Sequence, residues 1–71
     1  MAGERKRRGA QRQELERARA ELEEIRGELD GSWRSFNASA DPALTEAYIF
    51  EINALLGRYD HVCRQIKTLL L

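Results

Sequence analysis

An apolar row in the second half of the chain constrains the fold more than any other feature of this sequence. Its members are spaced alternately by four and three residues: Tyr48, Ile52, Leu55, Tyr59, Val62, Ile66 and Leu69. Such spacing places side chains on one side of an α-helix, at positions a and d of a seven-residue repeat labelled a to g. The row predicts a long amphipathic helix over residues 42–69.

A second apolar row runs beside the first, at position e of the same repeat. Its members are Ile49, Leu56, Cys63 and Leu70. A helix that is apolar at a, d and e presents a wider surface than a single neighbouring helix covers. The sequence therefore predicts that part of the apolar surface of this helix is exposed in the hairpin and packs against another chain.

The first half of the chain carries a narrower row. Leucine or phenylalanine stands at the a positions and a smaller or branched residue at d: Leu15, Ala18, Leu22, Ile25, Leu29 and Phe36. Strong helix formers fill most of the positions between them, which predicts a helix over residues 11–35. Gly27 and Gly31 each cost about 1 kcal/mol relative to alanine, so we expect this helix to weaken from Gly27 onward.

The two helices are separated by the short segment Asn37–Pro42. Asp41 is suited to cap a helix whose first residue is Pro42, because proline lacks the N–H that such a position leaves unpaired. We predict a turn at residues 36–41. A connection this short makes the helices antiparallel neighbours. The predicted fold is all-α, an antiparallel two-helix hairpin over residues 11–71.

We expect this hairpin to dimerise into a four-helix bundle. A chain of 71 residues supplies little stability from a single core. The partner could be a second copy or another protein. Glutamates at g and arginines at e, Arg19 and Arg26, also permit parallel pairing of the first helix across a dimer. The sequence leaves both alternatives open.

The chain has 12 cationic and 12 acidic side chains, but its start is basic. We expect residues 1–10 to form a disordered tail. The candidate phosphate contacts are Arg5, Lys6, Arg7, Arg8 and Arg12. They could bind nucleic acid without sequence preference. The alternative is a tail that only keeps the chain soluble, and zero net charge argues against a dedicated nucleic-acid binder.

Several functional classes lack support. With one cysteine, Cys63, the chain has no disulfide framework and no typical structural zinc site. His61 and Cys63 are two residues apart, so they do not face each other on a helix. We predict no catalytic, cofactor or metal site. No apolar run approaches the ~20 residues of a membrane span. Without a secretory signal either, the expected location is cytoplasmic.

The predicted function is non-enzymatic: homodimerisation and binding of a protein partner through the second helix. The candidate interface residues are Trp33, Ile49, Phe50, Leu56, Cys63 and Leu70. Phe50 falls at position f and is expected to point outward, where aromatic residues can act as interface anchors. The alternative function is that of an accessory protein that binds nucleic acid through the basic tail.

The run from Asp41 to Lys67 resembles the signature of the YaaL-like family, small bacterial proteins classed as a domain of unknown function. The matching positions are Asp41, Pro42, Leu44, Ile49, Phe50, Glu51, Ala54, Arg58, Tyr59 and Lys67. The resemblance covers about residues 29–67. It implies a bacterial protein without a known activity, cofactor or catalytic residue. Genes of this family often lie beside one for a recombination mediator protein, which is a hint toward nucleic acid.

Overall fold

A computed structural model describes the backbone of residues 2–71 and the side chains of residues 7–71. The chain forms two helices, α1 (Ala2–Ala38) and α2 (Pro42–Leu70). They pack against each other along a rod that measures 61 × 15 × 12 Å. This confirms the predicted all-α helical hairpin. In it α1 pairs with α2 of the same chain.

Helix α1 is longer than the sequence predicts. It begins at Ala2, whereas we expected a disordered tail over residues 1–10, and it ends at Ala38, whereas we expected residue 35. The added N-terminal segment, residues 2–10, contains no proline, and its alanine, glutamate, arginine and lysine residues favour helix strongly enough to outweigh Gly3 and Gly9. Helical propensity therefore continues the helix in a segment whose charge suggested a solvated tail.

The turn is correspondingly short, with only residues 39–41 outside the helices. The Asp41 carboxylate accepts a hydrogen bond of 2.9 Å from the backbone N–H of Ala43. The Thr45 hydroxyl donates to the Asp41 carbonyl oxygen at 3.0 Å. Pro42 is the first residue of α2. Both the predicted cap and the predicted start of α2 are confirmed.

The core between the helices is narrow. Six of the described side chains are buried. Helix α1 contributes three, all at position d: Ala18, Ile25 and Ser32. Helix α2 contributes Ile52, Leu55 and Val62. The a-position side chains Leu22 and Leu29 are only half-buried, as are Tyr59 and Ile66 of α2. The hairpin thus leaves one edge of its predicted apolar seam partly exposed to solvent. We call this edge, formed by Leu22, Leu29, Tyr59 and Ile66, the open shoulder.

The glycines do not interrupt the helices. Helix α1 continues through Gly27 and Gly31, where we expected it to weaken, because the packed residues Ile25 and Ser32 hold the helix on its inner side. A methyl group built at Gly27, Gly31 or Gly57 meets no atom within 4 Å. None of the glycines in the described chain has a positive φ. Nothing in the structure requires glycine at these three positions.

We predict that Gly27→Ala and Gly31→Ala each raise the free energy of unfolding by about 0.5–1 kcal/mol. Alanine lowers the entropy of the unfolded chain and adds a methyl group where there is space. Chemical denaturation followed by circular dichroism measures the change. The reverse substitution at an exposed helical site, Ala20→Gly, should lower stability by a similar amount. A loss of stability in either glycine variant would contradict this reading.

We also predict that Ile25→Ala lowers the free energy of unfolding by about 3 kcal/mol, because it removes buried methyl groups and leaves a cavity. Ile25 is 0% exposed. The matched control is Gln65→Ala on the exposed surface of α2, with an expected change within about 0.5 kcal/mol. Equal effects of the two substitutions in urea denaturation would show that the core lies elsewhere.

Candidate interaction surface

The two long sides of the hairpin differ in chemistry. On one side Arg58 of α2 reaches across to α1, with one guanidinium nitrogen 3.3 Å from the Glu28 carboxylate and the other 4.0 Å from Glu21. We call this the charged side. All three side chains are about half exposed, and such pairs contribute only ~0–1 kcal/mol each. These ion pairs therefore help to select one alignment of the two helices, but they contribute little to the stability of the hairpin.

The opposite side is apolar. Trp33 of α1 and Leu56 of α2 line one open groove, with Leu29 and Tyr59. Seven-residue spacing aligns further members with Leu56 along α2. We define the apolar side as Trp33, Ile49, Leu56, Cys63 and Leu70. The exposed fractions are 47% for Trp33, 45% for Ile49, 46% for Leu56 and 64% for Leu70. Cys63 is half-buried.

Trp33 is held in place by a neighbouring ring. Its indole packs edge-on against Phe36, with ring centroids 5.7 Å apart and planes at 86°. Edge-to-face pairs of this kind are a favoured aromatic arrangement. An anchoring side chain that is already fixed loses less conformational entropy when it binds a partner. The role of Trp33 in an interface stays a prediction.

The α1 edge of the apolar side carries cations. Arg26 donates hydrogen bonds to the Tyr59 hydroxyl at 3.2 Å and to the Glu23 carboxylate at 3.0 Å. The hydrogen bond with Tyr59, and then the charge of Glu23, raise the pKa of the Arg26 guanidinium above its ordinary value. Arg19 and Arg12 stand seven and fourteen residues earlier, on the same edge. The α2 half of this side is apolar, whereas the α1 half is rimmed by arginines.

Besides the C-terminal Leu71, two exposed large apolar residues of the described chain lie off the apolar side. Phe50 is 71% exposed and follows Ile49, about 100° further around the helix, so it does not join the row. Leu44 is 50% exposed and stands at position g, the position of Arg58 on the charged side. The sequence analysis did not single out Leu44 as an exposed residue. Isolated apolar residues at a surface are normal, so neither carries a site alone.

Of the candidate phosphate contacts, Arg7, Arg8 and Arg12 are exposed on α1. The side chains of Arg5 and Lys6 lie outside the described residues. Helix α1 has 37 residues and α2 has 29. The N-terminal part of α1 therefore extends beyond the end of α2 by about 12 Å, at 1.5 Å per residue. The described arginines are presented near and along this single-helix extension.

Residues with catalytic potential are not gathered into a site. His61 is exposed and Cys63 is half-buried on the same helix. Residues 7–71 contain no group of three or more His, Cys, Asp or Glu side chains arranged to hold a metal ion. The grooves are open to water, whereas a general acid with a raised pKa needs a dehydrated site.

No helix in the described part of the chain is long and apolar enough to cross a membrane. Comparison with protein-family models, with curated proteins and with solved structures found no match to this chain. The resemblance to the YaaL-like family therefore stays a prediction.

Proposed function

We propose that this chain is a non-enzymatic interaction module. Its hairpin binds a second copy of itself through the apolar side to form a four-helix bundle, and the assembled dimer docks other proteins. The observation that carries the proposal is the exposed row on α2, where Ile49, Leu56 and Leu70 are each 45–64% exposed at seven-residue spacing. A continuous apolar row of this length is typical of a protein interaction surface.

The surface area supports a partner. The hairpin exposes 5873 Å², whereas a compact protein of the same mass exposes about 4,500 Å². The excess exceeds the ~800 Å² that one partner contributes to a standard interface. A chain of this shape therefore has area to bury without losing contacts of its own.

The core supports the same reading. The half-buried side chains Leu22, Leu29, Tyr59 and Ile66 pack against the four-residue buried cluster of Ala18, Ile25, Leu55 and Val62. A second chain packed there would remove more of their apolar surface from water, at about 25 cal/mol per Å². The proposed dimer thus completes a core that one hairpin leaves narrow.

We predict that Leu56→Asp abolishes the dimer, because a carboxylate would be buried in an apolar contact without a partner. Light scattering at two protein concentrations should give about twice 8.2 kDa for the wild type and the monomer mass for the variant. Leu44→Asp is the matched control, since Leu44 is similarly exposed but lies on the charged side. It should keep the dimer mass.

Circular dichroism should show both variants to be helical. A wild type that stays monomeric at high concentration, or a Leu44→Asp variant that dissociates as fully as Leu56→Asp, would overturn the proposal.

A second candidate function is nucleic-acid binding through α1. It is supported by the exposed Arg7, Arg8 and Arg12, which lie on and beside the extension beyond α2. A helix that projects cations without an opposing helix can approach a phosphate backbone closely. Arg8 and Arg12 are four residues apart, so they lie on one face of α1, about 6 Å apart along its axis.

We predict that the triple variant Arg7→Gln, Arg8→Gln, Arg12→Gln binds duplex DNA less tightly and with a salt dependence reduced by about two to three phosphate contacts. Fluorescence anisotropy at several salt concentrations measures both. The control, Arg17→Gln, Arg19→Gln, Arg34→Gln, removes the same charge elsewhere. Equal losses in the two variants, or no binding by the wild type at low salt, would exclude a phosphate site at this end.

A further inference from the structure

A polar row runs along α2 next to its apolar row, at position b of the repeat. We call it the outer row: Glu46, Asn53, Asp60 and Lys67. All four side chains are exposed. The order of charges along the row is negative, neutral, negative and positive. This order is not symmetric, so the row distinguishes the two ways in which a second copy can approach.

We infer that the second copy packs its α2 antiparallel against α2, with a two-fold axis at Leu56 and the two turns at opposite ends. This inference rests on the proposed dimer and adds its geometry. An axis perpendicular to two antiparallel helices pairs residues that lie equally far from it on either side. Leu56 then meets its own copy, and Ile49 lies level with the partner's Cys63.

The same axis makes the outer row complementary to itself. Glu46 lies within one residue of the level of the partner's Lys67, and Asn53 within one residue of the level of the partner's Asp60. The contacts occur twice by symmetry. Asp60 is bound by Arg64 in the isolated hairpin. That pair is exposed, so exchanging it for a new contact costs little.

Parallel packing of the two α2 helices does not give this complementarity. A two-fold axis along the helices places the outer rows of the two copies on opposite sides of the contact, so Glu46 and Lys67 would lose these partners. Packing through α1 is also disfavoured. Arg19 and Arg26 on its edge would be covered by another helix and lose hydration.

The charge of the two ends of the hairpin favours the same orientation. Residues 7–13 and 64–71, at the open end, contain five cations and no acid: Arg7, Arg8, Arg12, Arg64 and Lys67. Residues 28–53, at the turn end, contain five acids and one arginine. When the two turns lie at opposite ends of the dimer, the basic end of each hairpin packs against the acidic end of the other. When the two turns lie at the same end, ends of like charge meet. Added salt should therefore weaken the inferred dimer.

The first test is a charge swap. Glu46→Lys or Lys67→Glu alone should raise the dimer dissociation constant about tenfold, because each loses two attractions and creates two repulsions. The double variant should return to within about twofold of the wild type. Inside one hairpin these residues are about 32 Å apart along α2, so they cannot pair there. Restoration therefore reports a contact between copies.

The matched control combines Glu51→Lys with Lys67→Glu. It has the same net charge as the double variant, but Glu51 shares position g with Arg58 on the charged side. Its dissociation constant should stay about tenfold above the wild type. Equal recovery in both double variants, or recovery in neither, would overturn the inferred orientation.

The second test measures distances between spin labels at Ala54→Cys and Thr68→Cys, each in a Cys63→Ala background that keeps the apolar side apolar. Both sites are exposed and share position c. In the inferred dimer the separation along the helix axis grows by about 3 Å for each residue away from Leu56. It is therefore about 6 Å at residue 54 and about 36 Å at residue 68.

The outcomes separate the two proposals. A distance that is clearly longer at residue 68 than at residue 54 supports the antiparallel dimer. Equal distances in a dimer of confirmed mass overturn the orientation and leave the proposed function standing. A monomer by light scattering, with no dipolar coupling at either site, overturns the proposed function itself.

Discussion

The packing of small and branched d-position side chains between the helices determines the remaining features of this hairpin. Ala18 and Ile25 of α1 meet Leu55 and Val62 of α2 in one buried cluster. In α1 the side chains at position d are buried most deeply in this contact. The helix is therefore rotated so that its a positions face the open shoulder. The rotation exposes the apolar row of α2 on that shoulder and brings Arg58 within reach of α1 on the other. The difference between the two sides follows from this single choice of packing face.

Much of the fold follows from two features that can be read directly in the sequence, the spacing of apolar residues and the capping residues at the turn. The seven-residue spacing determines which side chains can form the seam, and Asp41 followed by Pro42 marks the start of α2. Position in the repeat does not determine how far each helix rotates about its axis. A seam of a and d residues is compatible with a range of rotations, so the sequence does not predict that Leu22 and Leu29 are only half-buried. The same holds for the contact of Arg26 with Tyr59, which joins residues distant in sequence.

The N-terminal segment shows a different limit of sequence reasoning. Its concentration of cations suggested solvated, irregular chain, but lysine, arginine and alanine are also good helix formers. Two physical tendencies therefore predicted opposite states for the same residues, and helix propensity determined the backbone. Phe50 and Leu44 illustrate a related point about the surface. Position f predicted that Phe50 points outward, whereas Leu44 stands at position g, at the edge of the seam, where the repeat alone does not determine how exposed a side chain is.

The three outward-facing glycines bear on how long the protein would persist among proteases. Local opening of a helix is easiest where backbone entropy is highest and packing is least, and proteolysis proceeds through such opened states. Gly27, Gly31 and Gly57 lie in the interior of the helices, and a methyl group added at each would meet no neighbouring atom. Local opening inside the helices therefore costs least near these glycines, and a second chain packed on the adjacent seam would slow proteolysis there.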